Sequence, residues 1–164
     1  MFRKVTSAAV LGSAIAAWFV AGAFATPNSG FTSVDVSKGR FDELAVNADA
    51  ENANLIRLVT KGSSDFYVVE NTVTPGGYSG WHTHPGPSLV TVKSGTASFY
   101  DADDPTCTPH PYAPGAGFID RGNGHVHMVR NEGDEDLVLI TVQLFPADVS
   151  QRRIDVDFPG TCDF

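Results

Sequence analysis

The chain has 164 residues, 18% charged and 42% hydrophobic, with 11 basic against 19 acidic residues and a formal net charge of −8. An acidic chain whose few Lys and Arg residues do not cluster is poorly suited to nucleic acid or to an anionic membrane surface, because both present phosphates. The length suits one domain around one core.

Residues 1–25, MFRKVTSAAVLGSAIAAWFVAGAFA, read as a secretory signal peptide. Arg3 and Lys4 form the basic start, an uncharged Ala/Val-rich stretch follows, and Ala23-Phe24-Ala25 is an A-x-A cleavage site. A retained membrane anchor is the alternative, since no charge occurs from Val5 to Val34. Cleavage removes two basic residues and no acidic one. The expected product is an exported protein, extracellular or periplasmic, without membrane contact.

Residues 26–54 read as an N-terminal arm. TPNSGFTSV (26–34) is a polar lead-in, expected to be mobile near the new terminus, and FDELAV (41–46) suits a short helix or an edge strand. From 55 to 147 the signal is β. NLIRLVTKG (54–62) and SDFYVVENTV (64–73) are rich in β-branched and aromatic residues, and Pro75-Gly76-Gly77 is read as the end of that run. SLVTVKSG (88–95) alternates and TASFYD (96–101) follows, with Lys93-Ser94-Gly95-Thr96 as the expected hairpin turn. DADDPTCTPHPYAPGAG (101–117) is read as a loop, and GFIDRG (117–122), HVHMVRN (125–131) and EDLVLITVQLFP (135–146) as strands. Many short strands between Gly/Pro turns mean a sandwich or a barrel. The tail, 148–164, has little periodicity. Cys107 and Cys162 are expected to form a disulfide in an oxidising compartment and so tie that tail down; two buried free thiols or a metal-ligating Cys are the alternatives.

Four of the five histidines fall in two windows, His82/His84 and His125/His127, while His110 sits in the Pro-rich loop and is read as solvated. Residues i and i+2 of a strand share a face, so each pair presents two imidazoles to one side. If the two windows lie on neighbouring strands, three or four imidazoles converge, which is what a transition-metal site needs. A single H-x-H on an edge strand would be polar decoration; two pairs in one small β domain favour the metal.

Gly76, five residues, His82-Thr83-His84, three residues, Ser88, six residues and Gly95 together resemble the first cupin motif, G-x5-H-x-H-x3,4-E-x6-G. Gly124, His127 and Asn131 match part of the second, G-x5-P-x-G-x2-H-x3-N; Gly122 stands where that motif has proline, and Ala116, between Gly115 and Gly117, where it has its leading glycine. The likeness extends over roughly 55–147. It implies an all-β, single-domain, cupin-type jelly-roll β-barrel with His82, His84 and His127 as ligands of a divalent transition metal (Fe, Mn, Zn, Ni or Cu), and Asn131 closing a turn against the backbone.

The motif's glutamate is Ser88 here, and a neutral hydroxyl is a poor ligand for a divalent ion. Three neutral imidazoles leave the ion's double charge intact, which favours an anionic or chelating ligand. Some cupins, gentisate-type and thiol dioxygenases among them, resemble this in having three His and no Glu ligand. His125 is read as a fourth ligand or as a rim residue orienting His127. Gln143 is read as facing the cavity with Thr141 and Leu139, or else as an outward polar position. Glu70 is a weaker candidate, Trp81 is read as packing, and Phe99 and Phe118 as core or cavity lining.

Two functions compete: a metal-holding module that binds a small molecule, and a metal-dependent, dioxygenase-type oxidoreductase acting on one. A degenerate site that has lost its metal is a third reading. No G-x-S-x-G, P-loop or dinucleotide fingerprint is present. A homodimer formed through residues 41–60 is a further expectation.

Overall fold

The structure is a computed structural model that describes residues 25–48, 56–162 and 164. The signal-peptide reading falls on residues that lie, apart from Ala25, outside the described ones. Twelve strands follow in order: β1 (Ser29–Phe41), β2 (Ala45–Ala48), β3 (Ile56–Val59), β4 (Ser64–Tyr78), β5 (His82–Thr83), β6 (Ser88–Ser94), β7 (Ala97–Asp101), β8 (His110–Tyr112), β9 (Gly117–Asp120), β10 (His127–Asn131), β11 (Leu137–Pro146) and β12 (Ile154–Asp155).

The strands form two curved halves. One runs β9-β6-β11-β4-β1 and the other β12-β5-β10-β7-β8, every pair antiparallel. Arg130 of β10 opposite Tyr78 of β4 joins the halves into one sheet. β2 and β3 pair separately as an exposed two-stranded arm. The architecture is an all-β jelly-roll barrel. Val73, Val90, Val92, Phe118, Leu137 and Leu139 of the first half pack against Ala97, Phe99 and Val129 of the second to form its main core.

Period-two burial builds this core. β11 buries Leu137, Leu139, Thr141, Gln143 and Phe145 in strict alternation. β6 buries Ser88, Val90 and Val92, and β9 buries Phe118 and Asp120. Along these inward rows the chemistry changes from apolar at one end to polar at the other. Leu137 and Leu139 give way to Thr141 and Gln143, Val92 and Val90 to Ser88, and Phe118 to Asp120. The polar ends meet on one side of the barrel and form a pocket.

Several local expectations are corrected. Residues 93–96 do not close a hairpin: β6 pairs with β11 and β9, whereas β7 pairs with β10 and β8. The turn carries the chain from one half of the barrel to the other. Gly95 (φ 71°) makes that turn against Leu137, where a Cβ would stand 2.8 Å from the Leu137 Cα. Pro75-Gly76-Gly77 does not end its strand, because β4 continues to Tyr78 and a register shift against β1 absorbs the irregular stretch. The lead-in is a strand: β1 pairs with β4 from Ser29 to Phe41, so FDELAV contributes one strand's end and another's start rather than a helix. β1 is held by its backbone ladder and stays largely exposed, so it needs no apolar alternation to betray it. The Pro-rich loop also contains a strand, β8, laid on β7.

Cys107 and Cys162 form a disulfide, with Cα atoms 5.4 Å apart. Cys162 packs with Trp81, Tyr100 and Met128 in a second buried cluster, so Trp81 is packing and not cavity wall. The tail is placed further by β12 on β5. Among the described residues, no helix is long and apolar enough to cross a membrane.

Candidate metal centre

β5 and β10 lie side by side with His82 directly opposite His127. This pairing and the i, i+2 spacing of His82 and His84 bring three rings together. Centroids stand 4.3 Å apart for His82–His127, 4.9 Å for His82–His84 and 5.6 Å for His84–His127. One nitrogen from each lies within 4.8 Å of the others, and all three residues are buried. The rings sit in a cavity of about 300 Å³ that Val69, Val90, Phe118 and Leu139 also line.

The far nitrogens are already committed. His82 Nδ1 donates to the Gly80 carbonyl at 2.9 Å, and His84 Nδ1 to the Arg152 carbonyl at 2.6 Å. A carbonyl oxygen can only accept, so these Nδ1 atoms carry the proton and each Nε2 keeps a free lone pair. His127 Nδ1 faces two acceptors, Asp120 Oδ1 at 3.4 Å and the His125 carbonyl at 3.5 Å. Phe145 stacks on His84 and Phe99 on His127, which fixes ring tilt. Burial, before any neighbouring charge, pushes all three imidazoles below their ordinary pKa, His127 to about 3. Neutral, convergent imidazoles, two of them with the tautomer fixed by a backbone carbonyl, suit a divalent transition ion.

Gln143, Ser88 and Asp120 form a polar row across the pocket. Gln143 of β11 pairs with Ser88 of β6, and Ser88 pairs with Asp120 of β9. All three are buried and line the cavity, as do Thr141 and Leu139. Thr141 accepts from Asn71 Nδ2 at 3.0 Å. Ser88 Oγ and Asp120 Oδ2 are buried without any hydrogen-bond partner.

The structure places His125 elsewhere. It precedes β10 instead of lying on it, and it lines a separate shallow cavity with His110 and Arg121. Its Nδ1 is 3.1 Å from Asp120 Oδ1 and its Nε2 is 2.6 Å from Asp101 Oδ1, so both nitrogens face carboxyl groups. His110 is exposed. Glu70 points away from the pocket and pairs with Lys93 at 2.9 Å. Asn131 bonds the carbonyls of Val73 and Glu135 and accepts from Gly133 N, closing the turn before β11.

Sequence reasoning missed Asp120, Arg152 and Arg153. The two arginines line the pocket mouth; Arg152 pairs with Asp35 through both terminal nitrogens, and Arg153 bonds Asp155 and the Ser79 carbonyl. Nothing in the tail announces them, because their placement depends on β12 returning to β5. Asp120 carried one usable signal, its alternation with Phe118 in GFID.

The cupin domain family model matches residues 69–143, which contain both histidine windows and the polar row. Among solved structures, a Klebsiella pneumoniae protein with a double-stranded β-helix domain is 20% identical over 71% of this chain and 80% of its own, with a TM-score of 0.47. A cupin-like protein of Thermotoga maritima is 26% identical over 48% of this chain and 56% of its own, TM-score 0.43. A Streptococcus pyogenes protein of unknown function is 21% identical over 49% of this chain and 65% of its own, TM-score 0.42. The chain thus spans less than two thirds of the length of the streptococcal and Thermotoga proteins. No functionally curated protein matches it in sequence. The barrel and the family match agree: this protein carries a cupin domain over residues 69–143.

Proposed function

We propose that this protein is a secreted cupin that holds one divalent transition ion through His82, His84 and His127 and, beside it, a small chelating or anionic molecule. The observation that carries the reading is the three-imidazole group itself: buried, held neutral by burial, and with the Nδ1 atoms of His82 and His84 tied to backbone carbonyls. The bound ion would act as a Lewis acid toward the small molecule. The chain's own contribution is to orient the rings, to shape a cavity of about 300 Å³ and to offer Gln143 and Ser88 as hydrogen-bonding groups along one wall. The disulfide suits an oxidising compartment and supports the secreted reading.

Elemental analysis of the exported protein tests this. The expected result is close to one ion per chain, lost in each of His82→Ala, His84→Ala and His127→Ala. Equal metal content in all three variants and the parent would reject the site. Oxygen uptake with catechols, diketones, thiols and small carboxylates then separates the two functions. Turnover with any of them makes the protein a dioxygenase-type oxidoreductase; none leaves it a binding module.

A further inference from the structure

The geometry points to Asp120 as an additional, oxygen ligand of the ion: the carboxylate absent from position 88 is supplied from the neighbouring strand. This rests on the three-histidine reading above and extends it. Ser88 and Asp120 are directly opposite each other on β6 and β9 and face the same cavity. Asp120 is 1% exposed. Its two oxygens differ in what they meet. Oδ1 accepts from Gly122 N at 3.0 Å and stands 3.1 Å from His125 Nδ1 and 3.4 Å from His127 Nδ1. Oδ2 has no hydrogen-bond partner and lies 4.0 Å from His84 Nε2, the nitrogen that the Arg152 carbonyl leaves free.

A buried carboxyl oxygen without a partner is costly, and native interiors rarely leave one so. A shared ion resolves it. Adjacent donors around an ion with bonds of about 2.1 Å stand roughly 3 Å apart, so a modest rotation of Asp120 closes the present gap to His84. The three contacts on Oδ1 hold one oxygen while the other swings inward. His125, whose Nδ1 bonds Asp120 Oδ1 at 3.1 Å, becomes a positioning residue for this carboxylate and not a ligand. A carboxylate in the set also halves the ion's net charge, so the small molecule need not carry the whole of the compensating charge.

Cobalt(II) titration of the exported protein tests the assignment, because cobalt reports donor type in its visible spectrum. Asp120→Asn is expected to weaken cobalt binding by about 100-fold or more, beyond the roughly 10- to 100-fold typical of residues that only orient a ligand. It is also expected to shift the visible bands. Ser88→Glu in the Asp120→Asn background is expected to recover most of the lost affinity, which restored positioning alone would not do. X-ray absorption or a crystal structure of the cobalt-loaded parent needs no variant: Oδ2 should lie at about 2.1 Å from the metal. An Oδ2 beyond 3 Å, or an Asp120→Asn variant with the parental spectrum, overturns the proposal while leaving the three-histidine site intact. A parent that takes up no cobalt overturns the underlying reading instead.

Discussion

A histidine ligates only as the free base, and the folded barrel enforces that form on His82, His84 and His127 by burying them. The sign of the consequence is fixed. In the unfolded chain these rings take up protons below about pH 6.5, whereas in the folded one His127 resists protonation down to about 3. Between those values the unfolded state binds more protons, so folding free energy is fully present above pH 6.5 and drains away as pH falls. The metal-free protein should therefore show a melting midpoint that drops steadily from pH 7 to pH 5 in scanning calorimetry, with a shallower slope in His127→Gln. A midpoint that is flat or rises toward pH 5 would contradict this account of the three rings. Histidines were the most legible part of the site, since period two alone puts His82 and His84 on one side. Asp120, as buried as any of them, offered only its alternation with Phe118. An Asp followed by Arg and Gly reads as a turn, and its position against Ser88 depends on a pairing of β6 with β9 that no local pattern encodes. His125 misled for the related reason that it was assigned to a strand that begins two residues later.

At the level of elements, the site depends on how closely two loops can pack. Gly122 follows β9 with φ at 63° and lies so tightly against Gly86, after β5, that a Cβ there would collide with the Gly86 carbonyl. Asn123 N bonds the His84 carbonyl at 2.8 Å across the same contact. Gly122→Ala meets both a left-handed backbone and a backbone clash. It should destabilise the fold by more than about 1 kcal/mol in urea denaturation and weaken metal binding together. Unchanged stability and unchanged binding would show that the two loops are free to part. The strands with strong alternation, β4, β6 and β11, were readable because one face of each is buried. β1 was not, because its side chains are exposed and its ladder hydrogen bonds leave no trace in composition. The turn at Gly95 was read as a hairpin for lack of any local sign that the next strand belongs to the other half of the barrel.

The whole molecule keeps its stabilising tie and its pocket apart. The disulfide joins residues 55 apart in sequence and sits with the Trp81 cluster, whereas the imidazoles open onto the cavity between the barrel halves. On the chain-entropy model a link of that span contributes about 4 kcal/mol. The Cys107→Ser, Cys162→Ser double variant should lose much of that in denaturant unfolding yet retain metal at a temperature where it is folded. Loss of metal from the folded double variant would show that the tail, with Arg152 behind His84, depends on the link for its position. The central claim is that three imidazoles from two strands close on one ion. Anomalous diffraction at the metal edge from crystals of the metal-loaded protein tests it most directly. One strong peak is expected about 2.0–2.3 Å from a ring nitrogen of each of His82, His84 and His127. No peak among those rings, in crystals of protein that carries stoichiometric metal, would contradict it.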